Sequence, residues 1–318
     1  MAPSTPNLVH KSDWAEREQY LEFRLGPIRV GRIRFRASVL TTPFIELPLD
    51  VSSTVVTPQN LNGCPVAVIP GHPDAQKTKT IQRSNGLIRY VSFTEIRYLV
   101  ELKESLASYL KKFSAKRRHN LLRTVKKFTE FSGGELDCKE YRSASEMLEF
   151  QRLAVDISQK TYKQEIGWGF QSSEKFGQEL VDAAEVGAVR GYVLYCANRP
   201  AAYAFCRIQN AIIYYTHIGY DPQFSDYSPG TVLLYVLIER LFEEGRFRYL
   251  DFLGGAYWQY KQVFSTVQLS SATLFYFPPT LPNLALILLH VSVRKLESLA
   301  VRAKSMLAGI RSGREHQS

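Results

Sequence analysis

The stretch IGYDPQFSDYSPGTVLLYVLIERLFEEGRFRYLDFL, residues 218–253, contains the elements that decide the fold. It predicts the end of a strand, then a loop over 221–230 that leads into a helix, with Pro229 suited to the first helical position. Gly245 ends that helix, and RYLDFL forms the next strand. A helix that joins two strands in this way predicts a sheet with helices packed on it.

The segments on either side extend this pattern. Upstream, residues 188–196, 201–208 and 211–220 have a period of two and are separated by turn residues, so they predict an antiparallel meander. Downstream, a short helix is expected around 257–264 and a strand over 269–277. The sequence therefore places one long helix between the meander and the last strands.

Four helices are predicted before the meander. Apolar residues spaced by three and four begin near Glu95, and further helices begin at Ser114, Ser145 and Ser172. The residues expected on the inner faces of the second and third helices are Leu121, Leu122, Val125 and Phe128, and Leu148, Leu153 and Ile157.

The predicted fold class is α/β (α+β), with a mixed, mostly antiparallel sheet flanked by helices. Four regions are expected along the chain of 318 residues. They are a polar tail at 1–18, a β-rich N-terminal lobe at 19–94, a second lobe at 95–280 and an amphipathic helical tail at 281–318. Within the first lobe, residues 71–86 have the composition of a loop.

Composition excludes several classes of protein. With 45% hydrophobic and 22% charged residues, the chain is typical of a globular domain and unlike a disordered or fibrous protein. The four cysteines lack metal-ligand spacing and are expected to be reduced, packed thiols without a metal, as in a cytoplasmic protein. No motif of a hydrolase, nucleoside triphosphatase or dinucleotide-binding protein occurs.

The order of the elements resembles that of the GNAT superfamily of acyl-CoA-dependent acyltransferases. Residues 218–264 are similar to the lobe of CelD/BcsL-type proteins, which are related to Fem-type enzymes that add amino acids to peptidoglycan. The likeness covers about 95–280, includes the basic stretch 114–128, and is most specific at Tyr-Ser-Pro-Gly, Asp251-Phe252 and Tyr260-Lys261. The N-terminal lobe is then expected to be a degenerate partner lobe.

The resemblance implies direct transfer of an acyl group, other than an aminoacyl group, from acyl-CoA to an amine or hydroxyl. The acceptor is expected to be a small molecule or saccharide of cell-envelope or exopolysaccharide biosynthesis. No DNA partner and no metal are expected.

The start of the long helix is the predicted CoA site. Ser228 can cap the helix, and the free N–H groups of the first turn together with the helix dipole favour an anion. In GNAT folds this junction holds the CoA pyrophosphate, whereas ordinary capping is the alternative. The residues assigned to the site are Ser228, Pro229, Gly230, Thr231 and Val232.

Four residues are candidates for catalysis. His217, near the end of a strand, has the pKa range of a general base, or it is simply a packed strand residue. Asp251 is either a catalytic carboxylate or one bonded to a loop N–H or a basic side chain, and we favour the second. By resemblance Tyr260, rather than Tyr257, is the acid for the leaving sulfur, and Lys261 pairs with Asp251 or an anion.

Basic residues are concentrated in one stretch. Eight lie between Lys111 and Lys127 without an acidic one, against a net charge of +10 for the chain. Lys116, Arg117 and Arg118 would oppose the dipole of their own helix, which favours a nearby anion, although a solvated basic face is the alternative. Tyr227 is grouped with them as a substrate-binding or anion-binding residue.

Two rival functions and one further contact remain open. A Fem-type transferase would use aminoacyl-tRNA, although the helical hairpin of those enzymes is not evident. A non-catalytic module would bind an anionic partner through residues 111–127. The tail helix, with an apolar stripe at Leu286, Leu289, Val293, Leu296 and Leu299, either packs on its own domain or lies on the inner face of the membrane.

Overall fold

The computed structural model describes residues 13–25, 28–43, 45, 56–73, 79–161, 169–254 and 259–315. The chain divides into two compact units. One contains the described residues up to Glu95 together with those from Ser270 onward, and the other contains Ile96–Leu269. Eleven strands occur in the described residues, and all but two of their described pairings are antiparallel, so the predicted fold class is confirmed.

The first unit is built on a long β-hairpin. Strands β1 (Trp14–Leu25) and β2 (Ile28–Leu40) pair antiparallel, β2 pairs parallel with β3 (Val66–Pro73), and β3 pairs antiparallel with β11 (Val267–Phe277). Strand β1 already begins at Trp14, which is buried, so the prediction of a polar tail up to residue 18 is wrong for residues 14–18. The buried Trp14 side chain anchors the start of β1, although the charged residues that follow it are typical of a polar tail.

A second hairpin in this unit was also missed. Strand β4 (Ile81–Ser84) pairs antiparallel with β5 (Leu87–Glu101) through a turn at Asn85 and Gly86, both with positive φ. Asn-Gly is a strong signal for such a two-residue turn, so the loop predicted over 71–86 is wrong for β4. Residues 74–78 lie outside the described part of the chain.

Helix α7 (Leu281–Glu315) packs on the first unit along one side. Ile287 is fully buried, and the ring of His290 lies edge-on to Phe23 at 4.9 Å. Of the stripe that the sequence suggested, Leu286 and Val293 pack against this core, whereas Leu289, Leu296 and Leu299 are exposed. No helix within the described residues has the length and apolar character needed to cross a membrane.

The second unit is built on the predicted meander. Strands β7 (Val189–Cys196), β8 (Arg199–Gln209) and β9 (Ile212–Tyr220) pair antiparallel in sequence order, and β6 (Cys138–Tyr141) adds to β7. Strand β10 (Tyr249–Asp251) lies parallel to β9 and antiparallel to the end of β5. This sheet positions the candidate site.

Helices cover this sheet and agree with the predictions in part. They are α1 (Leu106–Lys111), α2 (Ala115–Phe131), α3 (Ala144–Gln159), α4 (Glu174–Glu185), α5 (Pro229–Glu244) and α6 (Gln259–Phe264). Ser114 caps α2, as expected, because its Oγ accepts the N–H of Arg117 at 3.3 Å. Ser143 and Ser173, rather than Ser145 and Ser172, precede α3 and α4.

Three details of the helical prediction are wrong. Residues 95–101 belong to β5 and not to a helix, because Tyr98, Leu99 and Val100 are buried on both faces of a strand and so lack alternation. Leu122 and Leu148 are exposed, since each lies one position away from the residues that face the core.

Candidate functional site

A cavity of about 340 Å³ lies in the second unit between β9, the start of α5 and α6. It is lined by tyrosine and aliphatic side chains and by small residues, and none of its described lining residues is charged. The lining residues are Tyr203, Tyr215, Ile218, Gly219, Tyr220, Ser225, Ser228, Pro229, Gly230, Thr231, Leu233, Leu234, Tyr260 and Phe264. The cavity therefore joins two of the predicted sites, the start of α5 and Tyr260.

The cavity lies where two parallel strands part. The ladder between β9 and β10 ends at the pair Tyr214 and Asp251, while β9 continues to Tyr220 along β8. A β-bulge places Thr216 as an extra residue between the pairs formed by Tyr215 and His217, and bulges of this kind redirect a strand. The diverging part of β9 forms one wall of the cavity.

The start of α5 differs from the prediction in two ways. Ser228 has a left-handed backbone (φ 52°), and its side chain makes no capping hydrogen bond. The N–H groups of Thr231 and Val232 donate to the Ser228 carbonyl oxygen at 3.0 and 3.2 Å, so they are not the free donors expected. Pro229 does occupy the first helical turn, and the Val232 side chain is buried in the core.

Gly230 leaves room at this end of the cavity. A Cβ at Gly230 would lie 3.7 Å from Tyr220 Cδ1, which is an ordinary van der Waals contact. Its backbone does not need glycine, because it lacks a positive φ. The glycine instead keeps the surface beside Tyr220 flat, which suits the close approach of a ligand.

Tyr260 closes the other side of the cavity. Its ring lies edge-on to Phe252 at 5.9 Å, and burial raises its pKa above the ordinary tyrosine value. Burial also raises the pKa of Tyr203 and Tyr215, so all three hydroxyls stay protonated at neutral pH. Tyr257, the other candidate acid, lies outside the described residues.

Asp251 and Lys261 both bond to the backbone that follows β10. The fully buried Asp251 carboxylate accepts from Arg97 at 2.5 Å and from the Leu253 N–H at 2.7 Å. Lys261 is also buried, and its Nζ donates to the Gly254 carbonyl oxygen at 2.6 Å. Asp251 thus contacts a loop N–H and a basic side chain, and Arg97 is a partner that the sequence analysis missed.

His217 packs among aromatic rings on the α3–α4 side of the sheet. Its ring centroid lies 5.6 Å from that of Phe170 and 6.0 Å from that of Phe205. The described residues that line the cavity do not include His217. Its role as a general base stays a prediction.

The four cysteines are free and buried, as the sequence suggested. Burial raises the pKa of the Cys138 thiol to about 11 and that of Cys206 further still. A thiol with a raised pKa is a poor nucleophile because little thiolate forms. Among the described residues, no group of His, Cys, Asp and Glu side chains could hold a metal ion.

A second depression, which we call the basic cleft, has a volume of about 640 Å³ and lies beside the cavity. Its lining residues are Arg123, Thr124, Lys126, Lys127, Glu130, Asp226, Tyr227 and Ser228, and Ser228 lines the cavity as well. Tyr227 stacks on Phe131 with ring centroids 3.7 Å apart, and Lys127 Nζ lies 4.8 Å above the Tyr227 ring.

The basic residues at the cleft are not those singled out from the sequence. Lys116, Arg117 and Arg118 lie in the first turn of α2, whereas Lys127 lies in its last turns, about 15 Å further along the helix axis. The concentration of basic residues in the sequence identified α2, the helix that lines the basic cleft. Which end approaches the start of α5 depends on the packing of α2 against α5, a contact between segments about a hundred residues apart.

Comparison with known proteins agrees with this fold. Residues 115–262 match the model of a protein family described as "Acetyltransferase (GNAT) domain". The mixed sheet, the parting of β9 and β10 and this match define a GNAT-like fold. The finer assignment to CelD/BcsL-type proteins stays a prediction.

Several solved structures are similar to this chain at low identity. FemX is 11% identical, with 87% of this chain and 91% of that chain covered and a TM-score of 0.52. L-PGS from Bacillus licheniformis is 11% identical, with 87% and 88% covered and a TM-score of 0.45. A conserved protein of unknown function from Bacteroides thetaiotaomicron is also 11% identical, with 67% and 69% covered and a TM-score of 0.46. The curated proteins contain no match to the chain.

Proposed function

We propose that the protein is an acyltransferase that takes an acyl group from an acyl-CoA thioester and passes it directly to an amine or hydroxyl. One observation carries the proposal. The cavity brings the start of α5, the diverging part of β9 and Tyr260 to one place. Acyl transfer needs a bound donor, a held carbonyl and a proton source for the leaving sulfur, and these are the parts that such a cavity can supply.

The walls of the cavity suit the pantetheine arm of CoA. That arm carries amides and a thioester but no charge, and the described lining residues are likewise uncharged. Tyr215, Leu233 and Leu234 supply buried apolar surface, while Ser228 and Gly230 at the opposite end leave space for a phosphate. The match between the uncharged lining of the cavity and the uncharged pantetheine arm supports CoA as the donor substrate.

Tyr260 is the proposed hydrogen-bond donor to sulfur. As the acceptor's nitrogen or oxygen bonds to the thioester carbon, the carbon–sulfur bond breaks and the electron pair stays on sulfur. The neutral Tyr260 hydroxyl can donate to that thiolate because burial keeps the tyrosine protonated. The proton released by the acceptor finally reaches the sulfur, which leaves as a thiol.

The position of the thiols supports transfer without a cysteine-bound intermediate. All four cysteines are buried, and the described lining of the cavity includes none of them. The acyl group is proposed to be other than aminoacyl, because an α-ammonium group would favour a carboxylate in the wall and no described lining residue is acidic. The acceptor is proposed to be a small molecule or a saccharide.

Calorimetric titration tests the donor. The protein is titrated with CoA, acetyl-CoA and a long-chain acyl-CoA, together with the variants Gly230→Glu and Gly31→Glu. A Cβ at Gly31 would meet no atom within 4 Å, and Gly31 lies in the other unit, so its variant serves as a charge-matched control. We expect binding that Gly230→Glu weakens at least about a hundredfold, because the new carboxylate would meet the phosphates. Absence of binding to all three ligands would refute CoA as the donor.

A further inference from the structure

Helix α2 presents a basic surface that extends well beyond the cavity. Its exposed cations are Lys116, Arg117, Arg123, Lys126 and Lys127. Within the described part of the chain, only Lys126 among them forms an ion pair, with Glu130 at 3.7 Å. The other four leave a net positive charge at the surface. An uncompensated field of this kind attracts a partner of opposite charge and speeds its association.

The surface also carries an apolar side chain. Leu122 is 42% exposed and lies one turn before Lys126, so the two side chains are neighbours on the helix. We call the five cations and Leu122 the α2 surface. An apolar residue beside charged ones suits a protein interface, in which apolar contacts are surrounded by a polar rim. A phosphate backbone alone would leave Leu122 without a partner.

The α2 surface leads to the cavity. Its last turns line the basic cleft, and Ser228 belongs to both the cleft and the cavity. The helix has 17 residues and is therefore about 25 Å long. A single nucleotide contacting Lys127 would not reach Lys116 and Arg117, so the far end of the surface is suited to a larger partner.

We propose that the α2 surface docks an acidic carrier protein that presents the acyl group on a phosphopantetheine arm. This inference rests on the proposed function, since it names a second form of the thioester donor. The carrier's acidic residues would face the α2 cations, and its arm would pass Ser228 into the cavity. In the transfer the acyl–sulfur bond breaks, the bond from acyl carbon to acceptor forms, and the carrier keeps a free thiol that takes the acceptor's proton.

The stacking at the end of α2 favours a protein over a nucleic acid. The facing sides of Phe131 and Tyr227 are occupied by their mutual stacking, so each ring has lost one face that a base would use. An acidic protein with an apolar contact would meet Leu122 as well as the cations.

The test compares carrier and CoA binding by the same protein. The probes are a purified acidic acyl-carrier protein with its phosphopantetheine arm, the same protein without the arm, and CoA. The variant is Lys116→Glu with Arg117→Glu, which should not harm the helix because acidic side chains in a first turn agree with the dipole. Circular dichroism and thermal unfolding check that the fold is kept.

We expect the armed carrier to bind, and its affinity to fall about tenfold or more in the double variant and with rising salt. CoA affinity should stay unchanged in the double variant, because residues 116 and 117 lie outside the lining of the cavity and cleft. The armless carrier should bind more weakly than the armed form.

Either of two results would overturn the inference. One is CoA binding without carrier binding, and the other is equal carrier affinity in the wild type and the double variant. Bulk tRNA, titrated in parallel, should not bind more tightly than the carrier, and tighter binding that the double variant removes would assign the surface to nucleic acid instead. Failure of CoA and carrier alike would refute the proposed function as well, so the two failures are distinguishable.

Discussion

The cavity and the α2 surface meet at the basic cleft, which shares Ser228 with the cavity, but they are opposite in character. The cavity is lined by buried tyrosines and aliphatic residues without a charge in its described lining, whereas the α2 surface is exposed and carries five cations. Hydrogen bonds are stronger where water is excluded, and long-range attraction operates where charges face solvent. Under the proposed function, acyl transfer occurs in the cavity, and the partner is recognised on the neighbouring α2 surface.

The largest expected effect concerns the buried ion pair beside the cavity. Asp251→Ala would leave the guanidinium of Arg97 without its buried carboxylate, so we expect a loss of about 3–5 kcal/mol in the free energy of unfolding. The exposed pair on α2 is the matched control, and Glu130→Ala should cost less than about 1 kcal/mol. Denaturant unfolding of the two variants measures both values. Equal losses would show that burial does not separate the two regions.

A second prediction concerns the hydroxyl of Tyr260. Tyr260→Phe removes a hydrogen-bond donor but keeps the ring against Phe252, so we expect transfer to slow about a hundredfold with little change in CoA affinity. Tyr235→Phe is the control, because Tyr235 donates to Glu239 on the same helix and does not line the cavity. Single-turnover rates and calorimetry separate the two effects. An unchanged rate in Tyr260→Phe would remove this residue from the mechanism.

Alkaline pH should destabilise the folded state through the buried tyrosines of the cavity. Burial raises the pKa of Tyr215 and Tyr260 in the folded state, so stability is complete below the ordinary tyrosine pKa of about 10 and falls as the pH rises above it. Between pH 10 and 11 the loss should be about 1 kcal/mol for each such tyrosine. Unfolding curves at several pH values test this. A constant stability across that interval would contradict the burial of these hydroxyls.

The smallest effect is expected for Leu122→Ala on α2. The side chain is exposed, and alanine favours a helix, so stability should change by less than about 0.5 kcal/mol. Leu121→Ala at the neighbouring buried position should cost about 2–4 kcal/mol. Thermal unfolding of both variants decides which leucine faces the core. A comparable loss for Leu122 would restore the expectation from the sequence that both leucines face the core.

Local signals predicted the elements of the second unit well. The meander, the Pro229 start and Gly245 end of α5, and the Ser114 cap of α2 all depend on residues close in sequence. Strand β5 was misread beyond Glu95, because a strand buried on both faces has no alternation to distinguish it from a helix. The strand start at Trp14 was missed because charged residues surround a single buried ring.

The candidate site was predictable only where one segment forms it. The α5 junction and Tyr260 were found from their own sequence motifs, and both line the cavity. Arg97, Tyr203 and the Phe131–Tyr227 stack were missed, because each joins segments that are distant in the chain. The bonding of Thr231 and Val232 to Ser228 was also missed, since it follows from a left-handed backbone at Ser228 that no local rule demands.

The most direct test asks whether the sulfur of CoA lies beside Tyr260. In Tyr260→Cys a new thiol would face the cavity, and in Leu122→Cys a matched thiol would be exposed on α2. The four native cysteines are buried, so the wild type should react slowly with CoA disulfide. We predict that position 260 gains one CoA by mass spectrometry faster than position 122 does, and that desulfo-CoA slows only the reaction at position 260. Faster labelling at position 122, or no protection by desulfo-CoA, would contradict the account.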